Sequence, residues 1–395
     1  MIKIQLHKNI IYLLALFILK TLSVFDKGII KTYFNLNTIL FYIYVKILGQ
    51  IIGGLILYIY HFISWRKKLE VKYFTLNLIH NNNKIKINDK SYKIILLLFF
   101  SSFFDFLHHF FDNLMLKLKG DISLSLSYRL GGLSLIFSSL LCFYALRFQI
   151  GKHQKFSLIA LSICLFISII SDIIFMLNET NFGKFFIFLF YILIRYICET
   201  FTDCIERYLV DYNFLNHFKI LMVEGIFEII ISFIFLLYEN PFDYLINFPE
   251  LDTKTYIFLL ISLILYFLFS SAVSVYKIYC NVIFSPMTKS LMNYIMNPLW
   301  NIAFYFFVKD FYGKAFYLIV SEIICLIIDF FGCVYLEYII IYSCGLEYDT
   351  KNEIYLRGLS KNISIENLLV DDDVEADNIK EIKDREMSII ESTDN

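Results

Sequence analysis

The chain has 395 residues, 58% of them hydrophobic and 18% charged, with a mean hydropathy of +0.65. A soluble domain carries about half apolar and about a quarter charged residues, so this excess points to a membrane. The net charge of -1 excludes a basic nucleic-acid footprint and long-range steering of a charged partner.

In chain order the apolar residues fall into ten blocks of about 20 residues, the length that crosses about 30 Å of hydrocarbon. They run roughly 9–25, 36–63, 93–111, 122–147, 156–177, 184–205, 219–238, 255–275, 284–308 and 315–343. In lipid only helices and closed barrels satisfy every backbone polar group. These runs are too long and too continuously apolar for barrel strands. The expected fold is all-α and polytopic, with about ten transmembrane helices in two halves, 1–180 and 181–345.

The first block contains Lys20 and lacks a small-residue cleavage site, so it reads as a retained first span. After the second block, residues 65–92 form a loop rich in basic residues, among them Arg66, Lys67, Lys68, Lys84, Lys86 and Lys90. That loop, the N-terminus, Lys152, Lys155, Arg207, Lys219 and Lys277 fall on one side of the membrane. Lys27, Lys31, Lys184, Lys254 and Lys309 fall on the other, and the bias between the sides predicts that both termini are cytosolic. An endomembrane and the plasma membrane fit equally. The sequon Asn178-Glu179-Thr180 lies so close to two spans that it reads as unused. Residues 346–395 carry Asp371-Asp372-Asp373 and few aromatics, and read as an acidic, disordered cytosolic tail.

The eight cysteines lie in or at the ends of apolar blocks with no CxxC spacing. They read as reduced, buried thiols, not as disulfides or zinc ligands. The chain has no Walker loop, HExxH, GxSxG or dinucleotide fingerprint, and no extramembrane stretch large enough for a catalytic domain. Neither enzymatic activity nor a cofactor is expected.

The informative residues are charges inside the spans, which cost a few kcal/mol or more at the bilayer centre and need partners. Lys20, Lys46, Asp105, Arg129, Arg195, Glu199, Asp203, Glu224, Glu228, Lys289 and Asp329 are of this kind. Arg195, Glu199, Asp203 and Glu206 are spaced four, four and three apart, which places them on one helical face. Arg195 and Glu199 form an expected pair in cis. Asp172, Glu206 and Glu337 lie near span ends and are expected to reach water. Asp105, His108, His109 and Asp112 carry metal-ligand chemistry within one span, but no second span offers histidines to complete three or four ligands. Gly49, Gly53 and Gly54, with Gly131 and Gly132, mark close helix contacts. Pro298 should kink the ninth span beside Lys289.

Several stretches resemble a eukaryotic solute-carrier branch of the drug/metabolite transporter superfamily, the fold shared by nucleotide-sugar transporters and EamA-type exporters. Glu206-Arg207-Tyr208-Leu209 followed by Tyr212-Asn213 looks like its Glu-Lys-Phe and Tyr-Asn end to the sixth span. Glu224-Gly225-Ile226-Phe227 looks like its Glu-Gly-Leu-Phe, and Ser285-Pro286-Met287-Thr288-Lys289 fits its opening of the ninth span. Asp105 sits where the branch has an Asp, although His108 and His109 depart from the pattern. Ser127-Tyr128-Arg129-Leu130-Gly131-Gly132 is similar to a Tyr-Gln-Met-Leu-Arg-Gly element, without the glutamine and with a shifted Arg–Gly spacing. The likeness covers most of 10–345 and is strongest over 184–300.

The resemblance implies two inverted five-helix repeats around a central cavity and alternating access. The expected cavity is lined by spans 1, 3, 4, 6, 8 and 9, and its substrate is a small polar metabolite. Arg129 and Lys289 would attract an anionic group, Glu199 would pair with Arg195 and exchange protons, and Asp105 would complete the substrate contacts. Two alternatives stand beside this reading. One is a non-transporting multipass scaffold that docks through the tail. The other is a metal or proton carrier built on Asp105, His108 and His109. The expected partners are a small molecule and the bilayer, with no nucleic acid; a homodimer is left open.

Overall fold

A computed structural model describes residues 2–4, 10–33, 38–66, 91–117, 130–146, 150–176, 182–237, 239, 252–294, 315–341 and 350. Arg129, Pro298, the sequon, most of the basic loop and nearly all of the tail lie outside these residues.

The described chain is almost entirely helical. Its helices are α1 (Ile10–Tyr33), α2 (Ile39–Arg66), α3 (Ser91–Lys117), α4 (Gly132–Ala145) and α5 (Lys152–Met176). They continue as α6 (Phe182–Asn213), α7 (His217–Phe235), α8 (Thr253–Ile283), α9 (Pro286–Tyr294) and α10 (Ala315–Tyr335). Each falls in one of the apolar blocks. Five of them, α2, α3, α5, α6 and α8, are long and apolar enough to cross a bilayer. The chain is therefore a helical membrane protein. Charge also falls within the helices outside this set of five: α7 carries Lys219, Glu224 and Glu228, and α1 carries Lys20, Asp26, Lys27 and Lys31.

Several helix ends differ from expectation, and three of them matter for the interior. Helix α6 runs on to Asn213 and α8 to Ile283, so Glu206 and Lys277 lie inside helices and not at their watery ends. The tenth block does not stay helical to residue 343. Its helix ends at Tyr335, Glu337 takes a left-handed φ of 63°, and Ile339–Ile341 forms a strand. That strand, β2, pairs antiparallel with β1 (Ile2–Ile4), with Lys3 opposite Ile340. Among the described residues the fold is thus all-α apart from one two-stranded ribbon that joins the first of them to the segment after α10.

Side-chain distribution is inverted relative to a soluble protein. Helix α5 shows Ile159, Ile163, Phe166, Ile167 and Ile170 outward, and α8 shows Ile257, Leu260, Ile261, Ile264 and Leu268. These recur at helical spacing and form apolar stripes facing away from the bundle. The opposite faces carry Ser157 and Ser168 on α5, and Ser262, Ser270, Ser274 and Asn281 on α8, all buried. Apolar groups out and polar groups in is the arrangement lipid favours.

Helix α3 packs on α6 and α7, α1 on α8, α2 on α7 and α8, α4 on α6 and α9, and α5 on α10. Small residues permit the closest of these approaches. A Cβ at Gly53 would stand 2.7 Å from Ser271 Oγ, and one at Gly49 would stand 3.1 Å from the Ser271 backbone. Ser271 Oγ donates to Gly49 O at 2.7 Å across this α2–α8 seam.

The α6–α7 turn is built from local chemistry. Phe214 adopts a left-handed φ of 55°, its N–H donates to Val210 O at 3.1 Å, and Leu215 N–H donates to Leu209 O at 3.2 Å. These bonds satisfy carbonyls that the end of α6 would leave open. Asn216 then caps α7, accepting from Phe218 N at 2.9 Å and Lys219 N at 3.3 Å. Asn216→Ala removes that acceptor and should destabilise the protein by about 1 kcal/mol. Thermal unfolding of the detergent-solubilised protein checks this; an unchanged midpoint would show that the cap contributes nothing.

Candidate functional site

Helix α6 is the spine of the polar interior. Its face presents Arg195, Glu199, Asp203 and Glu206, as the spacing requires, and each meets a different neighbour. Arg195 Nε lies 2.9 Å from Asp112 Oδ1 of α3, and its guanidinium stacks over the Tyr196 ring at 4.9 Å. Glu199 Oε2 lies 4.0 Å from His108 Nδ1 of α3, which also meets Arg195 O at 3.3 Å. Asp203 pairs with Lys289 of α9, and both are buried. Glu206 accepts from Asn281 Nδ2 of α8 at 2.8 Å, and the same amide donates to Asp203 O at 2.9 Å. Lys20 of α1 completes the group, within electrostatic reach of Glu199, Arg195, Asp112 and Lys289.

A second cluster adjoins this stripe on the α2, α3, α7 and α8 side. Asp105 stands between two lysines: Lys46 of α2 pairs with one oxygen, and Lys277 Nζ of α8 lies 2.8 Å from the other. Lys46 also reaches Glu228 Oε2 of α7 at 3.5 Å, and Gln50 Nε2 donates to Glu228 Oε1 at 3.2 Å. One turn earlier on α7, Glu224 accepts from the hydroxyl of Ser101 of α3. Asp105, Glu224 and Glu228 are all buried. In the low dielectric of this interior, pairing and hydrogen bonding are what keep such groups tolerable.

Between α8 and α9 the helix breaks at Phe284–Ser285. Arg207 holds the break: its Nη1 donates to the carbonyls of Asn281, Val282 and Phe284 at 3.0, 2.6 and 3.1 Å, and its Nε to Asp211 at 2.8 Å. On the other side Ser285 Oγ accepts from Thr288 N at 3.1 Å and caps α9. Lys289 follows one turn on. Ser290 of the same helix meets Ser138 of α4 at 2.7 Å.

Of the candidate residues, the fold brings Asp105, Arg195, Glu199 and Lys289 into one connected interior; Arg129 lies outside the described residues. The in-cis relation of Arg195 and Glu199 is joined by cross-helix partners, Asp112 and His108. The suggested histidine cluster does not converge. Asp105 turns to the lysines, His108 to Glu199 and Asp112 to Arg195, and among the described residues no three His, Cys, Asp or Glu side chains form a metal-holding group. Glu206 was expected to reach water and is instead buried against Asn281. Lys277 was counted among the loop lysines and is instead a partner of Asp105. A signal for each is present: Glu206 shares the α6 face of Arg195, Glu199 and Asp203, and Ser270, Ser274, Lys277 and Asn281 recur four, three and four apart, a polar stripe on α8. The polar interior also draws on α2 and α7, outside the expected lining spans 1, 3, 4, 6, 8 and 9: Lys46, Gln50, Glu224 and Glu228 are part of it.

No protein-family model matches the chain, and no curated protein matches it.

Removing one member of a buried ion pair strands the other, at a cost of about 3–5 kcal/mol. Lys289→Met should therefore lower the thermal midpoint sharply. Combining it with Asp203→Asn should recover most of the loss, since neither charge is then left alone. A double variant as unstable as the sum of the singles would show that the two residues act independently.

Proposed function

We propose that the chain is a multipass transporter of the drug/metabolite type, moving a small polar metabolite by alternating access through a cavity between two five-helix halves. The observation that carries this reading is the charged interior itself. Asp105 of the first half is held by Lys46 of its own half and Lys277 of the other. Ionisable groups facing inward from many membrane helices mark substrate or ion paths. A bundle needing only rigidity is served as well by apolar packing, which is often the more stable choice.

The helix contacts support the two-repeat architecture. When each helix number is advanced by five, counting round from ten to one, the main contacts map onto one another. The α3–α6 contact becomes α8–α1, α2–α8 becomes α7–α3, and α4–α5 becomes α9–α10, while α2–α7, α4–α9 and α5–α10 map onto themselves. That is the signature expected of two equivalent units packed about a pseudo-two-fold axis. The β1–β2 ribbon places both ends of the helical array at one end of the bundle, as an even number of spans requires. By the lysine and arginine bias that end is cytosolic.

Within this reading Arg129 and Lys289, the latter presented by the broken α8–α9 segment, attract the anionic group of a substrate. Glu199 and Asp105 hold the lysines and histidines when the cavity is empty. The discontinuous helix suits this role, because irregular backbone at membrane depth belongs where it lines a cavity.

Counterflow in proteoliposomes tests the proposal. Vesicles are loaded in turn with nucleotide sugars, small organic anions, amines and divalent metals. Saturable exchange of one class is expected, and it should fall to background in Arg129→Ala and Lys277→Gln. The latter leaves Asp105 paired with Lys46 and so spares the fold. No exchange of any class by folded, inserted protein would remove the transporter reading.

A further inference from the structure

Among the described residues, the interior carboxylates outnumber the cations that face them. Lys46 and Lys277 share Asp105, Lys289 takes Asp203, and Arg195 takes Asp112. Two buried carboxylates are instead bonded to neutral groups. Glu224 accepts from the Ser101 hydroxyl, and Glu206 from the Asn281 amide. Ser101 brings the two together: its hydroxyl donates to Glu224 of α7, and its carbonyl accepts from Thr202 Oγ1 of α6 at 3.4 Å, one turn before Glu206.

The charges around this pair come from every helix packed against it. They are Asp105 from α3, Asp203 from α6, Glu228 from α7, Lys277 from α8 and Lys289 from α9, with Lys46 of α2 one step further out, on Asp105 and Glu228. Lys277 and Lys289 are already engaged by Asp105 and Asp203, so ionising both glutamates is costly.

An independent observation points to what offsets that cost. Asn281 is fully buried, and its amide is committed to Asp203 O and Glu206 Oε2, which fixes the orientation of the side chain. Its Oδ1 then stands in the same cluster with no donor, and so does Asp203 Oδ2, also fully buried. Buried acceptors without donors, beside carboxylates that share their cations, leave room for a bound donor. Among the described residues no group converges as a metal site, so a metal ion does not answer the need. A proton does, because it needs only one carboxyl oxygen and becomes a donor once bound.

We propose that Glu206 and Glu224 form a proton-binding dyad that couples transport to the proton gradient. This rests on the transporter reading and adds its energy source. The step is simple: a proton from water on one side adds to a carboxylate oxygen, and the same O–H bond breaks to release it to water on the other. Lys277 is the element that responds. It sits between Asp105 of the first half and Asp203 and Glu206 of the second, and feels all three. With the dyad protonated, Lys277 stays on Asp105 and ties the halves together. Loss of the proton gives Lys277 a competing anion on α6, which loosens that tie.

The test needs no knowledge of the substrate. Proteoliposomes on a solid-supported membrane receive a pH jump at fixed sodium, and the transient charge displacement is recorded. Wild-type protein should show a displacement, Glu206→Gln and Glu224→Gln should each abolish it, and Lys219→Gln, at an exposed position, should keep it. A displacement of full size in both glutamine variants overturns the dyad, as does its absence from the wild type. A sodium jump at constant pH that evokes the same signal overturns the proton in favour of sodium. Should the variants fail to fold, infrared spectra of the wild-type protein decide. A protonated-carboxyl band that does not change with pH overturns the proposal. Counterflow without a pH-jump displacement removes the dyad and leaves the transporter reading standing, whereas displacement without counterflow removes the coupling. Absence of both removes both.

Discussion

A charge in a membrane interior persists only where a counter-charge or a hydrogen-bond partner meets it, and the arrangement of this bundle follows from that constraint. Asp105 is the clearest case. Its two oxygens are taken by lysines from two other helices, Lys46 of α2 and Lys277 of α8. Sliding α8 by one turn would carry Lys277 about 5.4 Å away and break its pair with Asp105. The ion pairs thus specify register, which apolar packing between lipid-like surfaces specifies poorly. The same logic runs down α6, where Arg195, Glu199, Asp203 and Glu206 each find a partner on a different helix or a different turn. Buried pairs of this kind contribute little net stability over an apolar core, yet each is costly to break.

The close approach of backbones is what brings short side chains into range. Gly49 and Gly53 let α8 ride against α2, and Gly225 lets α7 ride there too, since a Cβ at Gly225 would stand 2.6 Å from Ile51. With α7 and α8 both drawn in to α2, Glu228 comes within reach of Lys46 and Gln50, and Lys277 within reach of Asp105. The glycine pattern and the charge pattern are therefore two parts of one seam. Neither is sufficient without the other, because lysines on helices held a methyl group further apart would extend toward water instead.

Much of the architecture was legible in the sequence, and the part that was not has a physical reason. Each of the ten described helices overlaps one apolar block, because block length and hydropathy are local properties, and five of them are long and apolar enough to span. The stripe on α6 was readable because helical spacing fixes a face. What a stripe cannot state is which helix lies opposite, so Asp112, His108, Lys289 and Asn281 as partners had to come from the fold. Glu206 and Lys277 were misplaced for one shared reason: charge was treated as the end of a span. Here the helices continue past the charges, because the partners remove the need for water. The strand at Ile339–Ile341 was hidden in a run apolar enough to be helix; the left-handed Glu337, a residue with no special preference for that conformation, ends α10. Arg129, the strongest sequence candidate for an anion contact, belongs to the residues outside the described set.

The break between α8 and α9 shows how a membrane helix can be interrupted without penalty. Its cost has two parts: the last carbonyls of α8 lose their intrahelical donors, and the first N–H groups of α9 lose their acceptors. Arg207 answers the first with one nitrogen directed at three carbonyls, placing a positive charge at the negative end of α8. Ser285 answers the second, and Pro286 at the first helical position has no N–H to satisfy. Asp203 lies one turn before Arg207 on α6 and holds Lys289, one turn into α9. Two charges on a single face of α6 therefore grip both sides of the break, one through backbone and one through side chain. A segment anchored at both ends to one helix moves with that helix. It follows that the broken α8–α9 segment and α6 form one mechanical unit, and that any motion of Lys289 relative to Asp105 is motion of α6 relative to α3.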